Sequence, residues 1–307
     1  IEFSDWSSDV CSSDLKMKFS LALVFCLVAA VSAEVIYVSN KREFLDALPK
    51  AKSGDKIVLK PGEYRGISHL ETFNKGVIIS GGGRKDVIVP FFEIYGSGCT
   101  IEDFYFQDSD VALSIWKVSD ITIRRCTFTN IEKYSIIINS AKNVTIADNR
   151  FKADISKSSF GVWAKEDGAP TAKIIGNTFT DFAAAVLLHS YDGVFEVSNN
   201  IFKSNKNSKA IYTCGKNVKI AGNQCEMKSS TCPPGIDHNL YGFVRHCKGY
   251  AVIGPSNVVF LSSPSNNTYA AYESDLSLSK LTLCKSNRIS VSGNAKVSNG
   301  AKIDTSC

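Results

Sequence analysis

The 307 residues include only 3 tryptophans, 4 histidines and 2 methionines, so any surface that gathers two tryptophans and a histidine stands out from the composition. The 10 cysteines contain no C-x-x-C pair and no cysteine and histidine spacing of the zinc type, which argues against metal ligation by thiolates. No basic run of the kind that binds nucleic acid is present. The longest apolar run, residues 19–30, falls short of the ~20 residues that a helix needs to span a bilayer. A compact set of aspartates, as hydrolysis by paired carboxylates needs, is missing, and so is the regular Thr-x-Thr array that ice binding would require.

The first 16 residues, IEFSDWSSDVCSSDLK, show no apolar periodicity and read as translated adaptor sequence. Residues 17–33 open with Met17 and Lys18, continue through the apolar run and end on small residues before Glu34, which is the pattern of a secretory signal. The expectation is a secreted, extracellular, monomeric protein whose residues 34–307 form one domain. Its formal net charge of +5 becomes more positive once that leader is set aside, favouring acidic partners such as uronate polymers. Eight cysteines remain (99, 126, 214, 225, 232, 247, 284, 307), an even number that in a secreted chain predicts disulfides. Asn143 and Asn266 head glycosylation triplets.

One phrase keeps returning: CTIEDFYF, ITIRRCTF, VTIADNRF, AKIIGNTF, FEVSNNIF and VKIAGNQC end at residues 106, 128, 151, 179, 202 and 225. The steps of 22, 23, 28, 23 and 23 residues mean stacked supersecondary units. Within each phrase the first and third letters are apolar, then the parity changes, so a strand turns a corner and a second strand follows. The sixth letter is Asn149, Asn177, Asn200 and Asn223 in succession, a residue suited to a left-handed corner and able to bond from rung to rung. Between phrases lie ALSIW, SIIIN, FGVWA, AVLLH and AIYTC, which read as a further strand rather than the helix or arc of a leucine-rich horseshoe. The prediction is an all-β, right-handed, single-stranded parallel β-helix with core rungs at about 77–227. A cysteine-rich cap with terminal rungs takes 228–307, and a short N-terminal capping helix begins at Asn40 with Phe44, Leu45 and Leu48 on its apolar face.

The segment REFLDALPKAKSGDKIVLKPGEYRG, with Gly54, Asp55, Ile57, Leu59, Gly62 and Tyr64, resembles the entry of pectin-lyase-like β-helix proteins. It is most similar there to the sixth polysaccharide-lyase family, which holds alginate lyases and chondroitinase B. The resemblance spans about residues 35–227. It implies polysaccharide cleavage by β-elimination, with a lysine base and an arginine acid at the exits of neighbouring strands. Those exits here carry Asn139 and Ser140, then residues 189–191, then Thr213 and Cys214, so Lys165 is a shifted candidate.

Placing Ile115, Ile138, Val162 and Leu188 inward predicts an outward column of Trp116, Asn139, Trp163, His189 and Thr213. Two tryptophans on one strip of a secreted protein suit a polysaccharide running along the helix. Beside them, Lys165 or His189 would take the C5 proton of a uronate and Tyr191 would protonate the leaving oxygen. Glu166, Asp167 and Asp192 offer oxygen ligands for Ca²⁺. The alternative on the same scaffold is a glycan-binding or adhesion protein without catalysis.

Overall fold

The computed structural model describes residues 33–304 except 68, 72–73, 155, 157–158, 166–167, 205–208, 229–241, 247–248, 264–268, 275–278, 285, 294 and 300–301. The chain divides into two units, Ile1–Glu34 and Val35–Cys307, and the second is described here.

That unit is a right-handed parallel β-solenoid whose described strands form sheets of 12, 10 and 8 members, with one small two-stranded sheet beside them. Each turn visits the three large sheets in order. Ser119–Arg124 lies in the first, Thr127–Thr129 in the third and Tyr134–Asn139 in the second, before Lys142–Ala147 returns to the first one rung on. The recurring phrase is therefore a first-sheet strand, a corner and a third-sheet strand, and the segments between phrases supply the second sheet.

The corner asparagines form one continuous ladder. Asn149 Nδ2 donates to Asn177 Oδ1 at 3.0 Å, Asn177 Nδ2 to Asn200 Oδ1 at 3.0 Å, and Asn200 Nδ2 to Asn223 Oδ1 at 3.1 Å. Each amide also donates to a backbone carbonyl, and each Oδ1 accepts the backbone N–H of the rung before, so the polar groups of the ladder are paired. The left-handed backbone falls one residue earlier than expected, on Asp148 (φ 56°), Gly176 (φ 70°), Asn199 (φ 56°) and Gly222 (φ 66°). The asparagines serve the corner by hydrogen bonding, while the preceding position bends the chain.

Two residues past the ladder, Phe106, Phe128, Phe151, Phe179 and Phe202 stack inside with centroid spacings of 5.1, 4.6, 4.6 and 5.2 Å. Small buried residues on the second sheet make room for this column, among them Ala112, Ser135, Gly161, Ala185 and Ala210. A methyl group added at Gly161 would come within 2.9 Å of the Phe179 ring.

The sequence reading needs three adjustments. Regular rungs run past Met227, through Gly242–His246, Gly249–Ile253 and Val258–Ser263 to Lys302–Asp304, and Asn257 and Asn287 extend the ladder. The phrase is harder to see there because the ladder steps lengthen from 23 to 34 and 30 residues. Cys99, Cys126 and Cys225 are free and buried, because their positions face the solenoid interior, whereas Cys214 is disulfide-bonded. Helix Lys41–Ala47 has Asn40 as N-cap, accepting from the Glu43 N–H at 3.0 Å, and buries Phe44 against Phe92, but Leu45 is exposed.

Candidate functional site

Strand register decides which side chains share the outer face of the second sheet. Ile115, Ile138, Ala164, Leu188 and Thr213 pair in succession, and all five are fully buried. Thr213 is therefore an inward residue, a correction to its predicted place on the surface column. Trp163 pairs with Ile137 rather than with Asn139, so the two tryptophans stand in neighbouring columns. Ala164 is small enough to read equally well inside or outside, and that ambiguity hid the register. Asn139 is opposite Trp116 as expected, but only 2% exposed.

The outer face is nonetheless a continuous aromatic strip. Trp116 stacks on Tyr95 with centroids 6.4 Å apart and ring planes 12° from parallel. Trp163 stacks on Tyr134 at 4.4 Å, and Tyr134 on Phe160 at 5.4 Å. Lys165 joins the two tryptophans, its Nζ lying 5.6 Å from the Trp116 ring centre and 4.9 Å from that of Trp163. At one end, Glu93 pairs with His69 at 2.7 Å and accepts from the Tyr95 hydroxyl at 3.4 Å. Towards the other, His189 meets Tyr212 edge-on at 5.0 Å, and Lys209 Nζ sits 5.4 Å over the same tyrosine.

Three polar atoms on this face are buried without a partner among the described residues: Trp116 Nε1, Trp163 Nε1 and Asn139 Oδ1. An orphaned buried donor or acceptor costs about 1–3 kcal/mol. The strip thus offers flat aromatic rings and a cation held between them, with the two indole N–H groups and Asn139 Oδ1 lying beneath its surface.

Lys165 and His189 are on successive rungs. The Lys165 N–H donates to Ile138 O at 3.0 Å and the His189 N–H to Ala164 O at 2.9 Å, which fixes both just past the ends of their strands. Tyr191 is 44% exposed, and Asp192 is exposed in the turn closed by the Gly193 N–H on Ser190 O. Glu166, Asp167 and Asn266 lie outside the described residues. Asn143 is exposed, its amide donating to Asp120 Oδ1 at 2.7 Å. Tyr95, Tyr134, Glu93, His69 and Tyr212 are additions to the site that the sequence reading did not name. Their signal was the set of aromatics at outward parity, which becomes visible only once the register is known.

A sequence family described as periplasmic copper-binding protein (NosD) matches residues 63–219, half of the chain. The chain belongs to the NosD family. Among curated proteins, no relative matches it in sequence. An alginate lyase from Paenibacillus sp. has a similar structure, with a TM-score of 0.61 at 13% identity over 86% of this chain and 99% of that one. The catalytic unit of a GH87 alpha-1,3-glucanase from Streptomyces thermodiastaticus gives a TM-score of 0.51 at 12% identity, covering 89% of this chain and 69% of that one. At such identities the likeness establishes the shared β-helix fold.

The described donor set of this NosD-family chain does not fit the copper of the family description. Among the described residues, no three His, Cys, Asp or Glu side chains come together. The described free thiols face the interior, where burial pushes those of Cys99 and Cys126 up to about 12 and raises that of Cys225 further. Thiols so held stay protonated and are poor ligands. Met227 is likewise buried.

Proposed function

We propose that this chain engages an acidic polysaccharide along the outer face of the second sheet. The observation that carries the reading is Lys165, set over the faces of both Trp116 and Trp163 on one aromatic strip. Sugar rings present C–H faces that pack on aromatics and, in uronates, a carboxylate that a lysine neutralises. Lys165 makes no ion pair within the described residues, so its charge is available to that carboxylate.

A second reading, β-elimination, is favoured by the placing of Lys165 and His189 on successive rungs of the same strip. One of the pair would take the C5 proton of a bound uronate while the other holds its carboxylate. The C5–H electron pair would then form the C4–C5 double bond as the C4–O bond breaks, and Tyr191 would give its proton to the leaving oxygen. The resemblance to the sixth polysaccharide-lyase family supports this chemistry in general, with a base unlike that family's lysine and arginine pair.

The same proposal makes the chain a secreted monomer, cut before Glu34, with one domain over 34–307 and a disulfide-stapled C-terminal cap. Ca²⁺ would be held by Glu166, Asp167 and Asp192, and glycans carried at Asn143 and Asn266. The periplasmic location in the family description accords with export.

The test is incubation of the chain with alginate, chondroitin and pectate, with and without Ca²⁺, while following the ultraviolet absorbance of a new unsaturated uronate. A rise abolished by His189→Ala or Lys165→Ala supports elimination. Retention on one of the polymers with no rise supports binding alone, and neither retention nor a rise on any of them refutes both readings.

A further inference from the structure

The third sheet presents a different surface. Phe128, Phe151 and Phe179 point inward on successive rungs, so their neighbours point out: Thr127 and Thr129, then Arg150 and Lys152, then Thr178 and Thr180. Parallel register fixes each pair against the next, the cationic rung lying between two threonine rungs. A concavity of 480 Å³ covers these side chains and ends at Lys85 and Tyr105, and no acidic residue lines it. Lys203, opposite Thr180, adds a further cation on the following rung.

Some cations on the other faces are compensated. Arg125 meets Asp103 at 2.9 Å and Glu102 at 2.7 Å, and Lys133 meets Asp110 at 2.6 Å. Arg150, Lys152 and Lys203 on the third sheet, and Lys85 beside it, have no ion pair among the described residues, although Glu226 stands opposite Lys203 on the next rung. Four like charges on one face repel one another, and an anion seated there relieves that cost.

We propose that this face is a second binding site for acidic polysaccharide, separate from the tryptophan strip. Arg150 and Lys152 contact the carboxylates or sulfates, and the flanking threonine hydroxyls bond to the sugar hydroxyls. The sites repeat at ~4.8 Å from rung to rung and ~6.8 Å along a strand, which suits an extended polymer better than a single small anion. The guanidinium fork of Arg150 matches a carboxylate or sulfate with two parallel hydrogen bonds. Single-stranded nucleic acid would need aromatic platforms for its bases, and Tyr105, the aromatic lining residue at the surface, is covered by Lys85 Nζ at 5.6 Å.

The experiment removes the strip first, so that the two sites report separately. The Trp116→Ala chain is titrated with alginate, which carries carboxylates, with dextran sulfate, and with oligothymidylate. It is then compared with the chain that also carries Arg150→Gln and Lys152→Gln. The expected result is residual binding of at least one polysaccharide that weakens about ten-fold or more in the triple variant and falls with added salt. These substitutions are at the surface, and an unchanged thermal unfolding midpoint confirms that the fold is intact. No polysaccharide binding by the Trp116→Ala chain, equal binding by the triple variant, or oligothymidylate binding as tight as that of the polysaccharides at this face would overturn the proposal. Whether Trp116→Ala itself weakens the wild-type affinity reports on the strip alone.

Discussion

Lys165 and Trp163 lie 4.9 Å apart from ammonium to ring centre, and the same ammonium lies 5.6 Å from Trp116, so one cation bridges aromatics from two rungs. A cation over an aromatic face contributes about 0.5–2 kcal/mol depending on its exposure. In this position it also orients the two rings relative to each other, and it adds a charge to an otherwise apolar platform.

Lys165→Gln is expected to weaken binding of a uronate polymer by about five- to ten-fold and to change binding of a neutral glucan little, since only the former has a carboxylate to lose. Lys165→Arg should retain most of the affinity. Isothermal titration with both polymers separates a charge contact from a general loss of packing.

The asparagine ladder makes a prediction about stability. Asn177→Ala removes the partner of the Asn149 backbone N–H, one of the two acceptors of the Asn149 amide and the amide donor to the Ile146 carbonyl inside the solenoid. Each buried group left unpaired costs about 1–3 kcal/mol, so a loss of about 3 kcal/mol or more is expected from denaturant titration. A change below ~1 kcal/mol would mean that water enters the corner and replaces the ladder.

Gly161 answers to the phenylalanine column. Gly161→Val is expected to destabilise by about 1–3 kcal/mol, because the added side chain meets the backbone carbonyl of Ala185 as well as the Phe179 ring. Combining it with Phe179→Leu should recover part of that loss, a non-additivity that a double-mutant cycle measures directly.

Glu102 is 2% exposed and lies 2.7 Å from each of Lys56, Arg124 and Arg125. Burial pushes its carboxyl up, but hydrogen bonds from Lys56 and Arg124, with the charges of Lys56 and Arg125, outweigh this and hold it at about 2 rather than the ordinary 4.5. A carboxyl depressed by folding contributes stability that is fully present above its unfolded value and is lost as the pH falls through the folded one. The wild type should therefore lose stability between about pH 4.5 and 2. Glu102→Gln should be less stable at neutral pH and show a flatter acid limb, which unfolding midpoints at a series of pH values would reveal.

Much of the architecture was legible because the solenoid repeats its chemistry. Phe128, Phe151 and Phe179 at matching places, with Asn149 and Asn177 two residues before them, announce inward stacking and a buried ladder. The surface was less legible, since outward residues obey no such rule. Trp163 falls two residues from its expected register, keeping its outward parity, and Thr213 falls one residue away, because Ala164 and Thr213 are inward residues without an apolar signature. Asn257 and Asn287 escaped notice because longer loops precede them. The Arg150 and Lys152 pair was in plain view beside Phe151, but its lack of acidic neighbours depends on which rungs face each other, and that is a property of register.

The most direct test of the account is equilibrium binding of alginate by the wild type, by Trp116→Ala and by Trp163→Ala, with a neutral glucan as reference. The account predicts tighter binding of alginate than of the neutral polymer, a loss of about ten-fold or more in each tryptophan variant, and unchanged thermal unfolding. Equal affinity for alginate in all three proteins would contradict it and remove the second-sheet strip as a polysaccharide site.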